Sequence, residues 1–346
     1  MSYQREFERK VRIGVVGLGS HSYRNLLPTL TFLPVEVAAF CDVNEEILHK
    51  TADQYGVKRR YTETARMYAE SDLDAVFLCV SPGLHPKLTI QAFQAGLHVW
   101  MEKPPAMRAA QVEEMIQARG DRIAVVGVKK AFMPSIQKTK ELIQDDTAGP
   151  LYSMNAEYRI SIPENGQTVL DADEPTEWLA NCCHPLAAML EIGGKVEQVT
   201  THLSAHKGGF CILNFASGAV GSLWIATGMR GPNERYSFIS QHREVVVENC
   251  WRVTLHRGVP IVFGKDTTSS PPGIDHGSIV WEPQNCFASL ENKALFTQGM
   301  YQEMRYFLDC ILDGQQPGTG SLEFALHLMR VYEAALLSDG KAIRLR

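Results

Sequence analysis

An α/β half followed by an α+β half is the fold class this chain predicts, and three patterns carry it. Over roughly the first 127 residues, short, continuously apolar runs alternate with helical patterns, as parallel strands do when crossover helices bury both faces. From Tyr152 to Ile162, apolar and polar residues alternate, the pattern of a strand with one covered face. At 346 residues the chain exceeds what one core usually supports, and 45% apolar residues suffice to build two.

The first half contributes strands at Val11–Val16, Val35–Cys41, Ala75–Val80, His98–Met101 and Ile123–Gly127, with a weaker one at Lys58–Tyr61. Asn44 is placed to cap a helix whose first turn holds Glu45 and Glu46 and which stops at Gly56. Pro86 suits the first turn of the helix begun near Leu84, and Gly96 ends it. A helix over Ser135–Asp145 leads into the second half. Its strands are read at Tyr152–Ile162, Val196–His202, Phe210–Phe215, Val220–Thr227, Ser237–Ser240, Glu244–Glu248 and Trp251–His256. Ser217-Gly218 reads as a hairpin turn, Thr267–Gly277 as a Pro/Gly/Ser-rich loop, and Gln298–Leu312 and Ser321–Leu337 as closing helices. Residues 1–128 are expected to form the first domain and 129–346 the second, whose mostly antiparallel sheet leaves one face open. The C-terminal helices can pack back on the first domain.

A formal charge of −5 argues against nucleic acid or an acidic membrane surface, because phosphate binding needs clustered Lys and Arg. Eight cysteines (41, 79, 182, 183, 211, 250, 286, 310) show no CxxC spacing. The stretch Met1 to Lys10 is charged and lacks an apolar signal core, and no run approaches the roughly 18 apolar residues of a membrane span. A soluble protein of the reducing cytoplasm is expected.

Behind the first strand lies Gly17-Leu18-Gly19-Ser20. Gly17 permits a tight turn, Gly19 lets the backbone approach a pyrophosphate, and the next helix offers its N-terminal amides; Ser22 occupies the third glycine position. Asp42, ending the second strand, is placed to accept the adenine ribose hydroxyls and repel a 2′-phosphate, which favours NAD over NADP. A structural turn with Asp42 capping the next helix is the alternative. Two further strand ends face the same crevice, Ser81-Pro82 with His85, and Glu102-Lys103-Pro104-Pro105. A lone lysine is usually a solvated charge, but Lys103 is held between a strand end and two prolines.

These features resemble the Gfo/Idh/MocA oxidoreductases, the group of glucose-fructose oxidoreductase and inositol dehydrogenase. The resemblance runs over nearly the whole chain, through the Rossmann glycine turn, Ser81-Pro82 with His85, Ala95-Gly96-Leu97-His98-Val99 into Glu102-Lys103-Pro104, Val126-Gly127 and Gly149-Pro150-Leu151. It also includes Tyr301, Glu303, Phe307 and Glu333 to Ser338. It implies an NAD-dependent dehydrogenase acting on a secondary alcohol of a sugar, cyclitol or related polyol, with Lys103 binding the reacting oxygen. His184, on the helix Thr176–Ile192, stands where the family's proton-exchanging histidine does. Substrate contacts are expected from Lys129, Tyr158, Trp178, Asn181 and His184, and a homo-oligomer, dimer or tetramer, through the open sheet.

The chain departs from the family at this helix. The usual Asp-x-Gly-x-His-x-x-Asp reads Ala180-Asn181-Cys182-Cys183-His184-Pro185-Leu186-Ala187, without either aspartate. The loss removes the acid that would orient the imidazole and stabilise its cation, with Glu177 or Asp171, Asp173 and Glu174 as candidate substitutes. Lys129 and Ala131 replace the family's asparagine and arginine; Lys129 with Lys130 reads equally as a holder of an anionic or hydroxyl-rich substrate and as a solvated pair. Adjacent Cys182 and Cys183 cannot readily share one ion from a helix, so no metal is expected. Relatives on this scaffold leave alternatives open: an NAD-dependent glycosidase, an enzyme that retains its nucleotide and shuttles hydride between sugars, or a silent NAD-binding sensor.

Overall fold

A computed structural model describes residues 6–206, 208–226, 233–258, 264, 277–283 and 294–345. The first sheet contains β1 (Val11–Val16), β2 (Val35–Cys41), β3 (Arg59–Tyr61), β4 (Ala75–Leu78), β5 (His98–Glu102) and β6 (Ala124–Gly127). Its helices are α1 (Leu27–Leu30), entered through a π-type turn at Ser22–Leu26, α2 (Glu45–Tyr55), α3 (Thr64–Glu70), α4 (His85–Gln94) and α5 (Ala109–Arg119). All neighbouring strands run parallel in the order β3-β2-β1-β4-β5-β6. Strand order therefore reverses between β1 and β4, and the crevice at their C-terminal ends is where such sheets bind ligand.

The second part contains α6 (Pro134–Gln144), β7 (Leu151–Glu157), α7 (Gly166–Ala172), α8 (Glu177–Gly193), β8 (Val196–Leu203), β9 (Gly209–Phe215), β10 (Val220–Ile225), β11 (Arg235–Ser240), β12 (Glu244–Glu248), β13 (Arg252–His256) and β14 (Ser278–Trp281). The chain closes with α9 (Ala294–Thr297), α10 (Met300–Asp313), α11 (Leu322–Leu337) and β15 (Ile343–Arg344). The described strands form a nine-stranded sheet, β14-β13-β12-β11-β7-β10-β9-β8-β15, antiparallel except where β10 runs beside β7. One face packs against α6, α8 and α11. The opposite face carries Val220, Trp224, Phe210, Ile239 and Val280 in exposed positions, with Phe210 and Trp224 stacked 6.5 Å apart.

Helix α10 returns to the first sheet. Met304, Phe307 and Leu308 are fully buried in the same cluster as Ile13, Val15, Phe77 and Trp100. Burial of side chains this size contributes roughly 1.5–3 kcal/mol each, enough to fix the helix against β1 and β4. Its start is equally constrained, because Gly299 has φ 88° and a Cβ there would lie 2.1 Å from the Lys129 carbonyl oxygen.

Two expected strands are shorter than read. Tyr152–Ile162 stays in the ladder only to Glu157, opposite Trp224 and the first residue of β11, Arg235; beyond it Ala226 N–H donates to the Ile160 carbonyl at 3.2 Å, and the apolar alternation persists because Ile160 and Ile162 still enter the core. Ala75–Val80 stops at Leu78, where the chain turns beside Gly17. The Ser217-Gly218 hairpin joins β9 to β10, with Gly218 at φ 88°. Thr227, Cys286 and the loop from Thr267 to Asp275 and His276 lie outside the described residues. The sequence patterns missed α7 and the edge strands β14 and β15, all too short for a period to register. Among the described residues, no helix is long and apolar enough to cross a membrane.

Candidate active site

The glycine turn is built by close approach of two strands. Gly17 donates its N–H to the Cys41 carbonyl at 2.9 Å, has φ 86°, and a Cβ there would lie 2.2 Å from the Cys79 carbonyl oxygen. Any larger residue must displace that backbone. At Gly19 a Cβ would meet nothing within 4 Å, so the surface there is open to a ligand. Leu18 is buried and donates its N–H to Asp42 at 2.7 Å, while Asn44 N–H donates to the other Asp42 oxygen at 2.9 Å. Asn44, not Asp42, caps α2 through a 3.0 Å bond from Ile47 N–H. Asp42 thus braces the turn and keeps acceptor capacity on each oxygen. Ser20 is exposed where the helix begins, and Ser22 is buried with its hydroxyl unpartnered.

Glu102 and Lys103 leave the end of β5 in the same crevice, followed by a cis peptide to Pro104. One chain of hydrogen bonds joins this loop to the glycine turn. Asn25 Nδ2 lies 3.2 Å from His21 Nδ1, His21 Nε2 lies 2.9 Å from Glu102, and Lys103 N–H donates to the second Glu102 oxygen at 2.9 Å. His21 Nε2 is thus the nitrogen that faces the acceptor-only Glu102 carboxylate and donates to it. The sequence reading passed over His21, whose signal was a polar residue in the first turn behind Gly19. His85, expected at the cofactor, is instead fully buried: its Nδ1 lies 2.8 Å from the Pro104 carbonyl, and burial lowers its pKa. Its role is to hold the Lys103-Pro104 loop. Ser81 and half-buried Pro82 remain at the crevice edge.

The opposite wall is α8, capped by Thr176, whose hydroxyl accepts from Leu179 N–H at 3.1 Å. Lys103 Nζ crosses to this helix and donates to the Ala180 carbonyl at 2.9 Å. Pro185 has no N–H for the Asn181 carbonyl, so the ladder opens one residue further on. The His184 ring stands here, 6.2 Å from the Tyr158 ring, with Nδ1 buried and unpartnered. Burial holds its pKa well below 6.5, and the charges of Lys103, Lys129, Lys130 and His21 lower it further. It is neutral near pH 7. None of the candidate acids replaces the missing aspartate: Glu177 accepts from Ser161, Asp171 from Gln167, and Asp173 and Glu174 are exposed.

Lys129 follows β6, beside β5, and donates to Gln298 at 3.0 Å; burial, then Lys130, lowers its pKa. Tyr158 and Asn181 are half-buried at the same place, and burial pushes the Tyr158 hydroxyl up to about 12. Two expectations besides that for His85 are overturned. Trp178 is completely buried and donates its indole N–H to the Tyr332 carbonyl at 3.2 Å, so it belongs to the core between α8 and α11. Lys130 is also buried, with Glu234 and the Cys250 sulfur each 2.7 Å from Nζ. A further residue that the sequence did not mark for the site is Glu303, fully buried with neither oxygen partnered. Burial, then Glu102, raises its pKa well above the usual carboxyl value, so it is held neutral. Among the described residues, no group of three or more His, Cys, Asp or Glu is arranged to hold a metal.

Residues 11–130 match the model of an oxidoreductase family with an NAD-binding Rossmann fold, GFO_IDH_MocA. A myo-inositol 2-dehydrogenase of Thermotoga maritima is 30% identical over 40% of this chain and 42% of its own length. A D-apiose dehydrogenase of Paraburkholderia graminis is 21% identical over 98% of this chain and 90% of its own. The chain spans about half the length of several curated relatives, among them a Salmonella inositol 2-dehydrogenase aligned over 55% of its length. Over 96% of both chains, a solved dehydrogenase structure from Chromobacterium violaceum superposes with a TM-score of 0.81 at 20% identity. The stretch that carries the glycine turn and Lys103 is thus similar to the NAD-binding Rossmann fold of the GFO_IDH_MocA oxidoreductase family.

Proposed function

We propose that this protein is an NAD-dependent dehydrogenase acting on a secondary alcohol of a sugar, cyclitol or related polyol. The observation that carries the reading is the reach of Lys103 from the first sheet to Ala180, one turn before His184. That contact brings an ammonium and a neutral imidazole to one place at the C-terminal edge of the Rossmann sheet.

The residues present fit a dinucleotide. Open space at Gly19 and the adjoining amides suit the pyrophosphate, and the free acceptor capacity of Asp42 suits the adenine ribose hydroxyls. Asp42 also disfavours a 2′-phosphate, and we therefore assign NAD over NADP. When bound, the nicotinamide supplies a two-electron hydride acceptor for the carbinol carbon. His184 takes the hydroxyl proton, and Lys103 stabilises the alkoxide as its charge develops. Tyr158 and Asn181 orient the remaining hydroxyls. We further assign the protein to the reducing cytoplasm and place a second copy against the exposed apolar residues of the open sheet face.

The test is NADH formation with NAD and NADP in parallel across sugars, cyclitols and polyols. Lys103→Ala is expected to retain NAD binding and lose at least about 1,000-fold in turnover, the scale for removing one oxyanion donor. Binding of NAD without oxidation of any alcohol sinks the dehydrogenase reading in favour of a nucleotide-dependent sensor.

A further inference from the structure

Two buried or half-buried lysines on neighbouring residues are treated in opposite ways. Lys130 has its own carboxylate, Glu234, at 2.7 Å. Among the described residues, Lys129 has only the neutral amide oxygen of Gln298, at 3.0 Å, and Lys103 only the neutral Ala180 carbonyl at 2.9 Å. Lys103 and Lys129 rise from the C-terminal ends of adjacent strands β5 and β6, so two ammonium groups without an ion-pair partner share one edge. The nearby acids Glu102 and Glu303 act on Lys129 at longer range, but among the described residues neither makes an ion pair with it or with Lys103. Glu102 is occupied by His21 and the Lys103 N–H, and Glu303 is enclosed and held neutral. On α8, Glu177 is tied to Ser161 and Glu191 to Lys140, leaving Ala180, Asn181 and His184 toward the crevice. A partly buried cation costs free energy unless an anion accompanies it. Among the described residues the protein supplies that anion to Lys130 and none to Lys129, a place that the carboxylate of a ligand fits.

Resting on the dehydrogenase reading above, we propose that the substrate is a sugar acid, a polyhydroxylated chain or ring whose carboxylate is held by Lys129 while a secondary hydroxyl is presented to Lys103 and His184. The lowered pKa of Lys129 agrees, since an anion at Nζ would relieve the burial and the repulsion from Lys130 that lower it.

The test compares matched pairs differing at one terminus, such as glucuronate with glucose and galactonate with galactitol, by NADH formation at low and high salt. A charge-assisted contact predicts kcat/KM roughly ten- to a hundred-fold higher for the acids, declining with ionic strength. Lys129→Met is expected to collapse that ratio toward one, chiefly through KM, and Lys129→Arg to preserve it. Equal or better oxidation of the neutral members overturns the sugar-acid assignment alone, and a preference that survives Lys129→Met overturns Lys129 as the group that holds the carboxylate. Failure to oxidise any member of any pair, with NAD bound, overturns the dehydrogenase reading and this assignment with it.

Discussion

The two walls of the crevice are built to different standards of closure. On the Rossmann side, Asp42 ties the glycine turn to the end of β2, and His21 and Glu102 tie it to Lys103, so the polar groups brace one another. On the α8 side, taken with the turn after β6 that packs against it, the central imidazole has a buried nitrogen without a partner, and neither it nor Lys129 has a carboxylate partner among the described residues. The first wall is preorganised by protein contacts alone. The second is complete only when a ligand supplies the missing charge and hydrogen bonds, which places substrate selection there.

Gly17→Ala breaks the closed wall most severely. Its Cβ would collide with the Cys79 carbonyl while the backbone is held at φ 86°. Strain and overpacking together predict about 3 kcal/mol of destabilisation and loss of measurable NAD binding, read by denaturant unfolding and NAD titration. Wild-type NAD affinity in this variant would mean that the turn is not the dinucleotide site. Asp42→Ala is the milder cut. Losing charged hydrogen bonds to the ribose predicts NAD binding weaker by roughly ten- to a hundred-fold, with less effect on NADP, so that the preference narrows. An unchanged NAD/NADP ratio would leave Asp42 as a brace for Leu18 and Asn44 only.

What was legible in the sequence follows the same division. The closed wall is local: a strand, a turn and a cap, each written in consecutive residues, so Gly17, Asp42, Asn44 and Lys103 stand out on inspection. Contacts between distant segments are not written this way. Trp178 and Tyr158 are both aromatic residues near the expected site, yet one faces the α11 core and the other His184, and only packing separates them. The same limit hid the His21–Glu102 bond, the burial of His85 and the Lys130–Glu234 pair, which joins residues 104 positions apart. The alternation through Ile162 reported burial correctly but strand length incorrectly, because core packing outlasts pairing when partner strands end.

Glu303 tests whether the charge balance beneath the crevice is as described. Its folded pKa lies well above 4.5, so its contribution to stability is complete below pH 4.5 and is lost as pH rises toward the folded value, where the unfolded chain has already released the proton. Glu303→Gln removes that loss. Its stability relative to wild type should increase from pH 5 to pH 8 by at most about 1.4 kcal/mol per pH unit, measured by urea unfolding at several pH values. A pH-independent difference would mean that the carboxyl is ionised in the folded protein.

The smallest expected effect is also the most direct comparison of the two walls. Ala180→Asp places a carboxylate one turn before His184, at i and i+4 on α8, where the open wall lacks one. An anion there favours the imidazolium, countering the lowering by burial and by Lys103, Lys129, Lys130 and His21. The limb of the kcat/KM profile on which the base loses activity through protonation should therefore move to higher pH, since His184 must be neutral to accept the hydroxyl proton. Above that limb, a more basic imidazole should raise the rate roughly two-fold, the scale of a helix i,i+4 pair. If His184 is the base, His184→Ala removes the limb, and the added aspartate cannot restore it. A limb that stays in place in Ala180→Asp, or persists in His184→Ala, assigns the titration to another group and leaves Lys103 to act with a different proton acceptor.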